Sequence, residues 1–287
     1  HYGFSLKKAL RKLLLQWVYR HVDFVLSPGT ASDAYFLNAG LSASQMIRAP
    51  HAVDNARFSG TETPDKHSSF EASAQNWRKE LSIPADSKVF LFAGKLEPKK
   101  DPELLIRAFL KLHQQHPNTH LIIVGNGILE ESLKQYSSTL LPTAGRLNLS
   151  QPPQPSAGKF NSSTPQPSAG KFTSLTFLPF QNQSIMPLVY RLGDVFVLPS
   201  KGPGETWGLA INEAMACGRP VIVSDKCGAA ADMVKDNENG FVFKAGDEND
   251  LYNCMEKMVL ADTSSMGVKA LETVQRFSYA SFTSALQ

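Results

Sequence analysis

Two carboxylates that could work together, Glu205 and Glu213, stand in the run Gly202-Pro-Gly-Glu205-Thr-Trp-Gly-Leu-Ala-Ile-Asn-Glu213-Ala-Met-Ala-Cys-Gly. The glycines place Glu205 in a loop, and the apolar spacing places Glu213 about two turns into the helix that follows. A fully helical span of that length would hold the carboxylates up to about 12 Å apart. That reach suits the two ends of a sugar–diphosphate–nucleoside, with one carboxylate on the hexose hydroxyls and the other on the ribose diol. Between them lies a helix start, whose free N–H groups and positive dipole end favour a diphosphate. Taken alone, the pair could equally cap and solvate the helix.

A second basic element tips the balance toward chemistry. Gly94-Lys95-Leu96-Glu97-Pro98-Lys99-Lys100 follows an apolar run that reads as a strand. Ligands of parallel sheets gather at the carboxyl ends of strands, so Lys95 and Lys100 are expected on the same edge as the helix start at Gly208. Glu205, Lys95 and Lys100 are the candidate catalytic residues. Glu213 and Gly94 join Gly204, Thr206, Trp207, Gly208 and Leu209 as candidate donor-binding positions; Trp207 suits either contact with the sugar or packing beneath the loop. Two cations and a helix dipole can neutralise a leaving diphosphate without a metal, and no Asp-x-Asp pair occurs in the chain.

The elements that must position these residues alternate. Strands are expected at Val89–Ala93, His120–Val124, Leu175–Leu178, Val195–Leu198, Pro220–Ser224 and Gly240–Phe243. Helices are expected at Pro102–Gln115 with Asp101 as cap, Leu129–Ser137, Ile185–Leu192 and Gly208–Cys217. Continuous apolar strands alternating with helices specify an α/β fold whose parallel sheet is covered on both faces, of Rossmann-like type. Ahead of them lie a basic amphipathic helix near residues 6–18, a short strand at Val22–Leu26 and a helix at Ala31–Ala39. Between 141 and 173 the rhythm stops. There Pro-Gln-Pro-Ser-Ala-Gly-Lys-Phe occurs at 153–160 and again at 165–172, a tandem duplication too poor in apolar residues to pack.

The 287 residues are enough for about two domains, and 42% hydrophobic with 19% charged residues is ordinary globular composition. A net charge of +3 helps to hold an anionic ligand but is no nucleic-acid footprint. Three cysteines, Cys217, Cys227 and Cys254, cannot close a disulfide framework, which points to a reducing, cytoplasmic setting where the sequons at Asn148, Asn161 and Asn182 carry no meaning. Gly125-Asn-Gly127 lacks the third glycine of a dinucleotide fingerprint, with Glu130 in its place, and neither Gly158-Lys159 nor Gly170-Lys171 completes a phosphate loop.

With these motifs in order, the stretch from about Ser27 to Phe282 resembles the retaining glycosyltransferases of family 4, which have the GT-B fold. The resemblance rests on Glu205-x7-Glu213, on Lys95 and Lys100, on Val124-Gly125-Asn126-Gly127, on Phe180-Gln181-Asn182 and on His51-Ala52-Val53-Asp54, where the family often has Asn-Gly-Val-Asp. It implies that Glu205 meets the transferred sugar, Glu213 the ribose, Lys95 and Lys100 the diphosphate, and the 180–182 loop the base. It also implies retention of configuration and a role in polysaccharide biosynthesis. On this reading residues 1–54 are the end of an acceptor-binding N-terminal domain plus hinge. Residues 55–287 are the complete donor-binding Rossmann-like domain, with the insertion at 141–173. The chain opens at His1 inside a helical pattern, so it is read as a piece of a longer protein and expected to be inactive alone.

The implied partners are a nucleotide-sugar donor and a glycan or lipid-linked acceptor, with no cofactor and no nucleic acid. The 6–18 helix is expected to bury its Leu/Trp stripe in the N-terminal domain, with peripheral contact to an anionic membrane as the other reading. Two further functions remain open at this point: a GT-B phosphorylase or nucleotide-sugar epimerase, and a non-catalytic nucleotide-sugar-binding fragment.

Overall fold

The computed structural model describes residues 6–63, 65–140, 174–202 and 205–287, with the side chains of residues 6–8 and 140 left undescribed. The duplicated insertion and Gly204 therefore lie outside the described residues.

Six strands form one parallel sheet: β3 (Lys88–Ala93), β4 (Thr119–Val124), β5 (Leu175–Leu178), β6 (Val195–Leu198), β7 (Val221–Ser224) and β8 (Gly240–Phe243), in the spatial order β5-β4-β3-β6-β7-β8. Two further strands, β1 (Val25–Ser27) and β2 (Met46–Arg48), pair in parallel by themselves. In the large sheet the chain moves outward from β3 to β5, then returns to lay β6 on the other flank of β3. The connections leaving β3 and β6 run in opposite directions there, and a crevice opens above their carboxyl ends. Strand composition explains the layering. Phe90, Leu91, Phe92, Leu121, Ile122, Ile123, Phe196, Val197 and Ile222 are fully buried, as strands covered on both faces must be.

Most expected elements fall within a few residues of their observed bounds, and the differences have local causes. β1 begins at Val25 rather than Val22, because His21 and Val22 donate to the carbonyls of Val18 and Tyr19 at 3.1 and 3.2 Å and close a turn. Asp101 occupies the cap position of the helix Pro102–Gln115 with a left-handed backbone (φ 50°), but its side chain makes no cap hydrogen bond. Its carboxylate pairs with Lys201 at 3.3 Å instead. The helix Lys66–Glu80 has no counterpart in the expected elements, because only Ala74 and Trp77 along it are buried and no apolar stripe marks it. The helix Leu6–Tyr19 carries its stripe outward: Leu10, Leu13, Leu14 and Trp17 are all exposed, and nothing among the described residues covers them.

The opening segment is tied to the large sheet's side of the molecule. The Thr30 amide donates to Asp232 Oδ2 at 2.9 Å, and the Thr30 hydroxyl to Asp232 Oδ1 at 2.5 Å. Gly29 has to be glycine there, since a Cβ would meet both Asp232 Oδ2 and Trp207 Cζ3 at 2.5 Å.

One buried titratable group makes the fold sensitive to acid. His120 on β4 is 2% exposed and bonds Thr176 on β5 through Nε2 at 2.9 Å. Burial, helped by the neighbouring His113 and Arg78 charges, lowers its pKa from 6.5 to about 3. The native state keeps this imidazole neutral while the unfolded chain protonates it below its ordinary pKa. Its contribution is therefore complete above about pH 6.5 and is lost as pH falls toward 3, at roughly 1.4 kcal/mol per pH unit. We expect urea unfolding of His120→Phe to show a shallower loss of stability than wild type between pH 6.5 and 4.5. Parallel slopes would contradict this.

Candidate functional site

The crevice between β3 and β6 is built by three loops that hold one another. After β3, Gly94 donates its amide to Val124 O at 3.0 Å and Leu96 to Asn126 O at 2.8 Å, while Leu96 O accepts from Leu129 at 3.0 Å. The 94–97 loop thus lies side by side with the turn after β4. Gly125 (φ 139°) and Gly127 (φ 156°) make this contact feasible: a Cβ on the first would stand 2.0 Å from Gly94 O, and one on the second 2.4 Å from Leu96 O. These two glycines first serve backbone packing, and in doing so they fix where Lys95 emerges. The loop after β6 joins through Lys201, whose amide donates to Lys99 O at 2.9 Å.

Within that frame Lys100 and Glu205 meet. They form an ion pair whose side chains are 17% and 11% exposed, and Ser200 Oγ donates to the same Glu205 oxygen at 3.0 Å. The carboxylate is anchored at one oxygen and approachable at the other. Gly208 stands just behind it: a Cβ there would lie 3.8 Å from Glu205 Oε1, and its φ of 95° turns the chain into the helix Leu209–Ala216. The first N–H groups of that helix have no carbonyl ahead of them within it and face the same edge. Leu209 in this first turn is 45% exposed. Lys95 is exposed, and among the described residues it makes no ion pair. Thr206 is exposed as well; its carbonyl packs so tightly on Gly228 that a Cβ at 228 would come within 1.9 Å.

Glu213 belongs to the same helix but to another part of the crevice. Tyr190 donates its hydroxyl to Glu213 Oε2 at 2.6 Å, and Gln183 donates Nε2 to Glu213 Oε1 at 2.9 Å. Gln183 lies on the connection leaving β5, close to the predicted 180–182 loop. Phe180 is 67% exposed there, Asn182 accepts the Ser184 amide at 3.0 Å, and Gln181 is buried with Nε2 on Pro179 O at 2.8 Å. Gln181 Nε2 and Asn182 Oδ1 thus hold the loop, while the Phe180 and Asn182 side chains are exposed.

Of the two uses expected for Trp207, the structure has packing. The indole is 3% exposed, sits edge-on to His51 with centroids 5.6 Å apart and next to Phe277 at 5.8 Å, and donates Nε1 to Asn212 Oδ1 at 2.8 Å. Asn212 in turn donates to His51 O at 3.1 Å. The indole is thus enclosed beneath the loop. Residues not singled out in the sequence but part of the assembly are Ser200, Gln183, Tyr190, Asn212 and Gly228. Only Gly228, beside a turn, carried a local signal; the rest read as ordinary strand-end or helix positions. Burial pushes the Cys217 thiol up to about 12 and the Cys227 thiol up to about 11, so both stay protonated.

Comparison with known proteins agrees with this architecture. The family model for glycosyl transferases group 1 matches residues 73–145 and 168–276. A D-inositol 3-phosphate glycosyltransferase of Saccharomonospora viridis is 27% identical over 260 residues, covering 89% of this chain and 54% of that protein. One from Corynebacterium jeikeium is 27% identical over 288 residues, covering 99% of this chain and 61% of that protein. The chain thus spans about half the length of the curated relatives it matches. Among solved structures, HepE of Anabaena in complex with UDP superposes with a TM-score of 0.73 at 21% identity, over 99% of this chain and 67% of that one. Sucrose-phosphate synthase of Thermosynechococcus elongatus gives 0.67 at 23% identity, over 99% and 62%. At such identities the superpositions speak for the fold, which is α/β of GT-B type.

Proposed function

Since the chain belongs to the group 1 glycosyl transferases, we propose that it binds a nucleotide-diphosphate sugar in the β3/β6 crevice and forms the donor half of a hexosyltransferase. The observation that carries this reading is the meeting of Lys100 and Glu205 at the switch point, one turn from a helix start and on the same helix-loop unit as Glu213. In the proposed mode the diphosphate lies over the helix start between Lys95 and Lys100, the sugar meets Glu205, and the ribose diol meets Glu213. The base rests by Phe180. Breaking the bond between the anomeric carbon and the diphosphate oxygen leaves negative charge on the leaving group, which in this mode the two ammonium groups and the N–H groups neutralise. Glu205, freed from Lys100 by the incoming diphosphate, orients the sugar and stabilises the positive charge that develops at its ring. The protein thereby supplies the compensating charge without a metal, and the family resemblance adds retention of configuration.

The acceptor, a glycan or lipid-linked molecule, binds across the crevice on a second domain. Residues 1–54 contribute the end of that domain and the hinge, and 55–287 the donor domain. Transfer then requires both halves, and the present chain binds donor without turning it over. UDP is the first nucleotide to test, because HepE has the same fold and is known in complex with it. Calorimetric titration with UDP, GDP and ADP in the presence of EDTA should give saturable binding of one of the three. A chain shown to be folded that binds none of them overturns the reading.

A further inference from the structure

The two hydrogen bonds on Glu213 are unequal in kind. Behind the carboxylate, Tyr190 is 1% exposed and wedged between Phe58 and Phe196, with ring centroids at 6.1 and 5.4 Å. Phe196 lies on β6, so the phenol is fixed to the sheet. Burial next to a carboxylate raises the Tyr190 pKa well above its ordinary value, so the hydroxyl stays a donor throughout the working pH range. In front of the carboxylate, Gln183 is exposed and lies on a single 3-10 turn. Its main-chain carbonyl is held by Arg57, yet its side chain touches Glu213 only through the amide. A carboxylate with one oxygen on a rigid donor and the other on a displaceable one is set to exchange the second for an incoming hydroxyl pair.

On the reading of Glu213 as the ribose acceptor, we infer that Tyr190 is the positioning residue that aims this carboxylate at the nucleoside diol, and that the Gln183 amide stands in for the diol until the nucleotide displaces it. An ionised carboxylate without the buried donor could rotate about its terminal torsion and would meet two hydroxyls in one geometry only part of the time. Tyr190 therefore acts on recognition of the ribose, with no direct contact to the ligand.

The test compares, for whichever of UDP, GDP or ADP binds tightest, the natural nucleotide with its 2′,3′-dideoxy analogue on wild type, Tyr190→Phe and Gln183→Ala. Wild type should prefer the natural nucleotide at least tenfold. Tyr190→Phe should lose most of that preference by weakening the natural nucleotide alone, with the analogue's Kd unchanged. Gln183→Ala, at an exposed position, should keep the preference and bind the natural nucleotide as tightly as wild type or more so. Equal binding of the two ligands by wild type removes Glu213 from the ribose and takes this inference with it. A preference that survives in Tyr190→Phe, or that disappears in Gln183→Ala instead, overturns the inference and leaves the ribose assignment standing. Loss of both ligands in parallel by Tyr190→Phe marks a merely structural tyrosine and also overturns it.

Discussion

Replacing Lys100 by Ala should weaken binding of the cognate nucleoside diphosphate by about 3 kcal/mol, or roughly two orders of magnitude. Removing a charged hydrogen-bond donor from a phosphate accounts for about 1.5–3 kcal/mol of this. The rest comes from Glu205. In the intact site this carboxylate is 11% exposed and neutralised by Lys100. With the lysine gone it keeps, among the described residues, only the Ser200 hydroxyl and directs an uncompensated negative charge at the incoming diphosphate. Adding Glu205→Gln to Lys100→Ala should restore part of the folding stability and remove the repulsion, while the phosphate contact stays lost. Titration calorimetry on the single and double variants, paired with urea unfolding, separates the two contributions. A Lys100→Ala protein that binds within threefold of wild type would contradict the placement of the diphosphate.

The largest effect on stability is expected at Arg191, far less visible in the sequence than any motif. Its side chain is 0% exposed. The guanidinium donates to Phe58 O and Pro187 O at 2.8 Å, to Ser59 O at 2.9 Å and to Glu71 at 3.0 Å. Those partners lie on three segments: the helix Asn55–Ser59, the helix Lys66–Glu80 and the turn of helix Met186–Arg191 that also carries Tyr190. Arg191→Ala would remove the guanidinium's bonds from three carbonyls, although Ser59 O keeps His67 Nδ1 at 2.8 Å and Phe58 O keeps Cys217 Sγ at 3.4 Å, and would leave a cavity where the guanidinium stood. Removing one member of such a buried network costs about 3–5 kcal/mol. Glu71 retains Arg219 at 2.5 Å, which keeps the loss from running higher. Lysine is no substitute, since one ammonium cannot span acceptors arranged around a planar fork. Urea denaturation should show the midpoint falling with the slope unchanged. A loss below about 1 kcal/mol would contradict the network's role.

The large sheet was legible because its strands are unbroken apolar runs, Leu121–Val124 and Val195–Leu198 among them, that only two-sided burial explains. That Lys100 and Glu205 would share one sheet edge was legible because one follows a strand end and the other precedes a helix start, where parallel sheets gather their loops. What escaped depends on contacts far apart in the chain. β2 is three residues long and is a strand because β1 lies beside it. The ends of the Thr30–Asn38 helix gave no sign that Asp232, about two hundred positions away, would satisfy its first amide. Trp207 beside Glu205 suggested a sugar platform, and its burial follows from the local Asn212 together with His51 and Phe277, which lie too far along the chain for a local reading to bring near it. Tyr190 looked like one more apolar residue on a helix, because the partner of its hydroxyl lies across the sheet connection on the Glu213 helix.

The central claim, that this crevice holds the donor nucleotide, is tested most directly by a crystal structure of the chain soaked with UDP. The account predicts the diphosphate within hydrogen-bond distance of Lys100 Nζ and the amides of Leu209 and Ala210, with the ribose hydroxyls on Glu213 and the Gln183 amide displaced from it. A second recess, a groove of about 420 Å³ on the hinge side whose lining mixes Arg48, Lys235, Lys269 and Arg276 with Asp232, Glu238 and Glu272, offers the nucleotide an alternative. Ordered UDP in that groove, with the Lys100–Glu205 pair unbroken, would contradict the account.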